Sequence, residues 1–220
     1  MSEQQPIRLV ILSANFETLV EDTAGILHDY LAARIPVEQR LVQWPSDGGQ
    51  VDLTPLDEAD VALVFADRAP VPAAGLEQLQ AYCAAERPLV AVRCNGMSLD
   101  GWTSFEREVL SAEVGARGAH GTSYAVDFGA PRRDHPLVEG MEPFEAFGSP
   151  LTDLRLADGA DATQMEVVAE ARLDDGRVPV AWTRQCCGAR VFATTLGHPR
   201  DFWEYDFLRL VENAVLWAAP

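Results

Sequence analysis

Ile7-Arg8-Leu9-Val10-Ile11-Leu12-Ser13 is a short apolar run without polar alternation, the pattern of a strand covered on both faces of a parallel sheet. The same unit recurs outward from it. Leu19, Ile26, Leu27, Tyr30 and Leu31 fall at helical spacing from Thr18 to about Ala33, with Gly25 working against the helix. Strands are expected over 37–44, 60–66 and 88–93, and a helix over 72–86 with Pro72 near its first turn. Strand alternating with helix through the first hundred residues predicts an α/β fold with a doubly wound, mostly parallel sheet. Such sheets bind ligands beyond the carboxyl ends of their strands, which nominates residues 13–17, Asp67 with Arg68, and 93–96.

Residues 114–165 are richer in Gly, Pro and Asp; a strand over 124–128 and long connections there are placed to cap the site. Strands are expected near 166–172, 178–184 and 190–195. The last two are joined by a Cys-Cys-Gly turn and deliver His198 to the mouth of the sheet. A final amphipathic helix would bury Phe207, Leu210, Val211, Ala214 and Ala218, with Asp206 as its N-cap. No repeat or linker divides the chain, so residues 1–220 read as a single domain.

Hydrophobic residues make up 48% and charged residues 23%, an ordinary globular balance, but 17 Lys+Arg against 34 Asp+Glu leave a net charge of −17. That surface repels nucleic acid and anionic membranes, which need clustered cations. No apolar run reaches the roughly 18–20 residues of a membrane span, and residues 1–6 lack the pattern of a signal peptide. Cys83, Cys94, Cys186 and Cys187 lack metal-ligand spacing, and the adjacent pair could join only under strain, so reduced thiols and a cytoplasmic location are expected.

After the first strand, Ser13-Ala14-Asn15-Phe16-Glu17 stands where a dinucleotide or phosphate cradle needs glycines, so neither NAD nor a nucleotide is expected. Arg93-Cys94-Asn95-Gly96 follows a strand and precedes an expected helix, the setting of a nucleophile elbow. Cys94 beside Arg93 and a helix N-terminus would have a lowered pKa; set against that, Cys is commonly a small buried apolar residue. His198, flanked by Gly197 and Pro199 with Arg200, Asp201 and Glu204 nearby, is the leading histidine, against the alternative of a satisfied structural one. His120 lies in a glycine-bracketed loop that could fold over the same mouth; His135 reads as a turn residue and His28 as a helix residue. Two histidines with Asp201 or Glu17 could hold a divalent metal, although no local spacing marks a metal motif. Of Trp182, Phe202, Trp203 and Tyr205, most are expected in the core and one or two at a ligand.

Residues 179–183, 188–192 and 196–199, with Asp201-Phe202, Asn213-Ala214 and Trp217, resemble the ThuA-like (trehalose-utilisation) family of the class I glutamine amidotransferase-like fold. Weaker matches are 88–93, His120-Gly121, and His135-Pro136 followed by Gly140. The resemblance spans roughly residues 7–218. It implies a flavodoxin-like sheet, a site at the strand ends, and a role in carbohydrate metabolism that includes keto-sugars. In amidotransferases of this fold a Cys sits at the elbow tip and a His-Pro-Glu segment comes late in the chain. Here Arg93 and His198-Pro199-Arg200 stand in those places, so glutamine hydrolysis is not expected. The chain also departs from the ThuA-like pattern at Asn15-Phe16-Glu17, at Arg93 and at Cys186-Cys187.

The leading expectation is an enzyme acting on a small polar, sugar-derived substrate. Arg93 would hold an anionic or carbonyl oxygen, His198 would act as general acid/base with a pKa near neutrality, and His120 would assist. Asn15, Glu17, Asp67, Cys94, Asn95 and Asp201 complete the expected substrate contacts. The rival is a non-catalytic binding or assembly module on a degenerate amidotransferase fold; a Cys94-dependent hydrolase is a third reading. Homo-oligomerisation is compatible with such a fold.

Overall fold

The computed structural model describes residues 5–15, 20–44, 49–67, 69–70, 73–96, 98–129, 134–156, 165–186 and 189–220. The opening apolar run forms β1 (Ile7–Asn15), followed by α1 (Val20–Arg34), β2 (Val37–Gln43), β3 (Val61–Asp67) and a two-residue β4 (Ala69–Pro70). Then come α2 (Ala73–Ala84), β5 (Leu89–Val92), β6 (Leu99–Asp100), a single-turn α3 (Phe105–Glu108), β7 (Ala112–Val114) and β8 (Thr122–Asp127). The chain continues through β9 (Phe144–Gly148), β10 (Leu154–Leu156), β11 (Met165–Leu173), β12 (Gly176–Cys186), β13 (Ala189–Thr194) and α4 (Tyr205–Ala218).

Nine strands make one sheet in the order β2-β1-β3-β5-β13-β12-β11-β8-β9. The first five run parallel, the flavodoxin-like order; from β12 onward each strand pairs antiparallel to its neighbour. The α/β, mostly parallel reading therefore holds for the half of the sheet that carries the strand ends of interest. Alternation along β1 explains its unbroken apolarity. Leu9 and Ile11 join Leu27, Leu31, Phe207, Leu210 and Val211 on the α1/α4 face, while Val10 and Leu12 join Leu79, Tyr82 and Trp182 on the α2 face.

Two local expectations are corrected, and one strand was not anticipated. No helix follows Arg93-Cys94-Asn95-Gly96: the Ser98 N–H and hydroxyl both donate to the buried Glu106 carboxylate, and the chain runs on into β6. β9 was not foreseen; its short Phe-Glu-Ala-Phe-Gly alternation is bracketed by Pro143 and Pro150. Asp206 is not the N-cap of α4, a place taken by Glu204, because its carboxylate accepts the N–H of Glu142. Tyr205–Ala218 buries the five residues expected of it. The Cys186-Cys187 turn, Thr18, Leu19 and Pro72 lie outside the described side chains or residues.

Candidate functional site

β5 ends at Val92, and Arg93 takes a positive φ of 64°, unusual for a residue with a Cβ. The contacts around it hold that conformation. The Arg93 N–H donates to Leu196 O and the Cys94 N–H to Thr194 O, both at 2.9 Å, so the β5–β13 pairing continues through the elbow. Arg93 Nη1 donates to Gly197 O at 3.1 Å. Gly197 itself has φ of 124°, and a Cβ there would lie 2.9 Å from Val92 Cγ1 and 3.3 Å from Arg93 Cβ. Only glycine lets the two turns press together.

The next residue is His198, and the turn that carries it is clamped from below. Asp201, 1% exposed, accepts the N–H groups of Gly197 and His198 on Oδ2, each at 3.0 Å, and that of Phe147 on Oδ1 at 2.9 Å. One carboxylate thereby ties the histidine turn to the end of β9. The His198 ring packs against Phe147, centroids 4.8 Å apart, and the Arg200 guanidinium lies 4.1 Å over the same phenyl ring. His198 Nδ1 accepts the Arg200 N–H at 3.2 Å. Just beyond Phe147, Ser149 Oγ meets Nδ1 of the exposed His120 at 3.2 Å.

The electrostatics differ from the expectation of a near-neutral acid/base. Burial, reinforced by Arg93, His120 and Arg200, pushes the His198 imidazole down to about 4. Burial pushes Asp201 up to about 6 in spite of its three N–H donors and Arg93. The buried Tyr124 hydroxyl is pushed up by burial and by Asp201, with Arg93 opposing. In a chain of net charge −17, two arginines, Arg93 and Arg200, set positive charge against the His198 ring.

The structure thus brings Arg93, His198 and His120 together. Asn15 and Asp67 stand opposite one another in the β1–β3 register at the same end of the sheet, their side chains outside the description, as is Glu17 altogether. Asn95 is 9% exposed, and its carbonyl accepts Arg117 Nη2 at 2.9 Å. Two expected ligand contacts are corrected. Cys94 is 2% exposed in the α2-side core, and burial with Glu106 pushes its thiol well up, so it is neither a thiolate nor open to a ligand. Asp201 is engaged by backbone and serves the turn. Its engaged oxygens do not suit it as a metal ligand, and among the described residues no three His, Cys, Asp or Glu are grouped to hold a metal. Phe147, Ser149 and Tyr124 were missed; the period-two pattern of β9 was the available signal for the first two.

A separate cleft of about 430 Å³ opens near the amino ends of β5 and β13, lined by Cys83, Arg87, Trp102 and Arg184. Its arginines are committed to the fold, Arg87 on the carbonyls of Leu56 and Ala59 and Arg184 on those of Glu108 and Val109. The carboxyl end remains the candidate site.

The ThuA family model, described as trehalose utilisation, matches residues 38–218. The chain belongs to the ThuA family. Among solved structures, a ThuA-like protein from Parabacteroides merdae superposes with a TM-score of 0.74 at 16% identity, covering 97% of this chain and 90% of that one. A second, from Bacteroides uniformis, gives 0.68 at 12% identity over 99% and 93%. A glutamine amidotransferase from Thermotoga maritima gives 0.61 at 10% identity over 98% and 99%, a likeness of fold. No curated protein matches this ThuA chain in sequence. Among the described residues no helix is long and apolar enough to cross a membrane.

Proposed function

We propose that this ThuA-family chain binds a small, polar, sugar-derived ligand at the carboxyl ends of its parallel strands and acts on it there through Arg93 and His198. One observation carries the reading: Arg93, at positive φ, is bonded through Leu196 O and Gly197 O to the turn that presents His198. Strained backbone over-determined by its surroundings is typical of functional sites. The sugar class rests on the family description, and the choice of a carbonyl or anionic oxygen rests on the cationic surroundings of the imidazole. Glutaminase chemistry is left out because the elbow tip is a guanidinium, which cannot attack an amide, and the neighbouring thiol is buried.

Calorimetry with a panel of neutral sugars and keto-sugars tests this, comparing the wild type with Arg93→Met. A panel member should bind the wild type and lose about 10–100-fold in affinity in the variant, the worth of a charged hydrogen bond. Equal affinities in two equally stable proteins would sink the assignment.

A second reading, a binding or assembly module, is favoured by the exposure of Trp203 (80%) and Tyr205 (53%) just beyond the His198 turn. An oligomer that dissociates in Trp203→Ser, from a protein binding no panel member, would select it.

A further inference from the structure

Val37-Glu38-Gln39-Arg40-Leu41 has the same order of residue types in both directions, apolar, charged, amide, charged, apolar, with the two charges opposite in sign. The segment lies in β2, the terminal strand of the nine-stranded sheet, and among the described residues nothing pairs with its outer edge. Its bonding to β1 fixes which backbone groups that edge offers. The Ile7 N–H donates to Pro36 O at 2.9 Å and the Trp44 N–H to Ser13 O at 2.8 Å, so the even-numbered residues turn toward β1. Val37, Gln39 and Leu41 therefore direct their N–H and C=O groups outward. Their side chains lie on the α1 face, where Val37 and Leu41 pack against the core and Gln39 Nε2 donates to His28 O at 3.0 Å. Glu38 and Arg40 are exposed on the opposite face, where they line an open cleft of about 480 Å³. Charge on an edge strand ordinarily blocks pairing with another edge. The spacing of these two charges favours it.

We propose that β2 pairs antiparallel with β2 of a second copy of this chain, about a two-fold axis at Gln39, joining two sheets into one. Val37 then meets the partner's Leu41 in a hydrogen-bonded pair. Glu38 meets the partner's Arg40 in a non-hydrogen-bonded one, where side chains approach most closely. Two-fold symmetry makes each contact twice. Charge specifies the register. A slip of one residue sets outward-turned backbone groups against inward-turned ones and loses the ladder. A slip of two sets Glu38 against Glu38 in one direction and Arg40 against Arg40 in the other. Arg8, beside Glu38 in the β1–β2 register, is itself held by Asp60 at 2.6 Å. Helix α1 leaves room for the second copy. Tyr30 and Arg34 reach Glu212 of α4, while Gly25, His28 and Ala32 occupy the flank turned away from α4, above the β2 edge. A Cβ on Gly25 would meet nothing within 4 Å, so a lone chain gives this mid-helix glycine no packing role. Against a second α1, Gly25 and the exposed Ala32 permit close approach. Because the pairing is antiparallel, the two candidate sites point in opposite directions, and the inference is independent of any ligand.

Sedimentation equilibrium of the full chain at about 0.15 M NaCl tests this, and the wild type should be dimeric by about 100 µM. Glu38→Arg and Arg40→Glu each set like charges face to face at both symmetry-related positions. Both side chains are exposed, so both variants should fold, and each should dimerise about tenfold more weakly or worse. An equimolar mixture of the two should associate again, since each supplies the charge the other lacks. The double variant restores opposite charges in the same register and should return to within about threefold of the wild type. Amide hydrogen exchange gives a second readout. Gln39 and Leu41 should be protected only at concentrations where the dimer forms, while Glu38 and Arg40, bonded to β1, are protected throughout. A wild type still monomeric at about 100 µM, single variants as tight as the wild type, or a double variant no better than the singles each overturns the inference. A dimer lost in Trp203→Ser but kept in both charge reversals puts the contact on the Trp203 face and overturns it as well.

Discussion

A carboxylate that accepts three backbone N–H groups is ordinarily a strong acid, yet Asp201 is held up at about 6 because its desolvation outweighs them. The folded value lies above the unfolded one of 3.8, so the protonated side chain favours the native state. That contribution is complete below about 3.8 and is lost as pH rises through about 6. His198 has the opposite sign: depressed from 6.5 to about 4, it adds stability above 6.5 that is lost as acid charges the ring. Asp201→Asn keeps one acceptor, introduces two hydrogens among three donors, and should cost about 1–3 kcal/mol. Urea melts at a series of pH values measure it. The deficit relative to wild type should shrink as pH rises from about 4 to 6; a deficit that grows would mean that the N–H groups, not burial, govern the acid.

The functional unit at the next scale is a pair of turns, the Arg93 elbow and the Gly197–His198 turn, joined across β5 and β13. Gly197→Ala forces a Cβ into Val92 at a φ of 124° and should cost about 1–3 kcal/mol, read by thermal melting. Because Arg93 Cβ is the other neighbour, ligand affinity should fall with it; an alanine variant of wild-type stability and affinity would show that the close approach is unimportant. These elements also mark how far the sequence could be read. Apolar runs located the parallel strands because both faces of each are buried; the carboxyl-end rule then nominated residues 93–96, and the turn after the last strand nominated His198. Cys94 was misread because a positive φ reverses the alternation at the turn. Val90 and Val92 face one core, and Cys94 drops into the other with Leu89 and Ala91. No residue type announces that sign when the position is not glycine. Asp201 was legible as a polar residue near the histidine, but its partners are backbone groups from β9 and its own turn, contacts that exist only after folding.

Across the whole molecule the surplus of acid is a surface property, while the candidate site is locally cationic. Like charges spread over one domain repel, so salt should stabilise the fold: raising NaCl from about 0.05 to 0.5 M shortens the screening length to a few ångströms. About 1 kcal/mol gained corresponds to roughly 2–4 °C in a chain of this size, within reach of scanning calorimetry. A falling melting temperature would mean instead that exposed pairs such as Arg8–Asp60 dominate. The position of β13 has a consequence in time. It lies mid-sheet, bonded to β5 on one side and β12 on the other, yet Val191 reaches its partner Leu89 across about a hundred residues of chain. During synthesis β5 would emerge as an open hydrogen-bonding edge and wait on the order of 5–20 s for the strand that covers it. Through that interval the uncovered edge is open to pairing with other chains, and Arg93 acquires Leu196 as its acceptor only when translation has carried the second turn out of the ribosome.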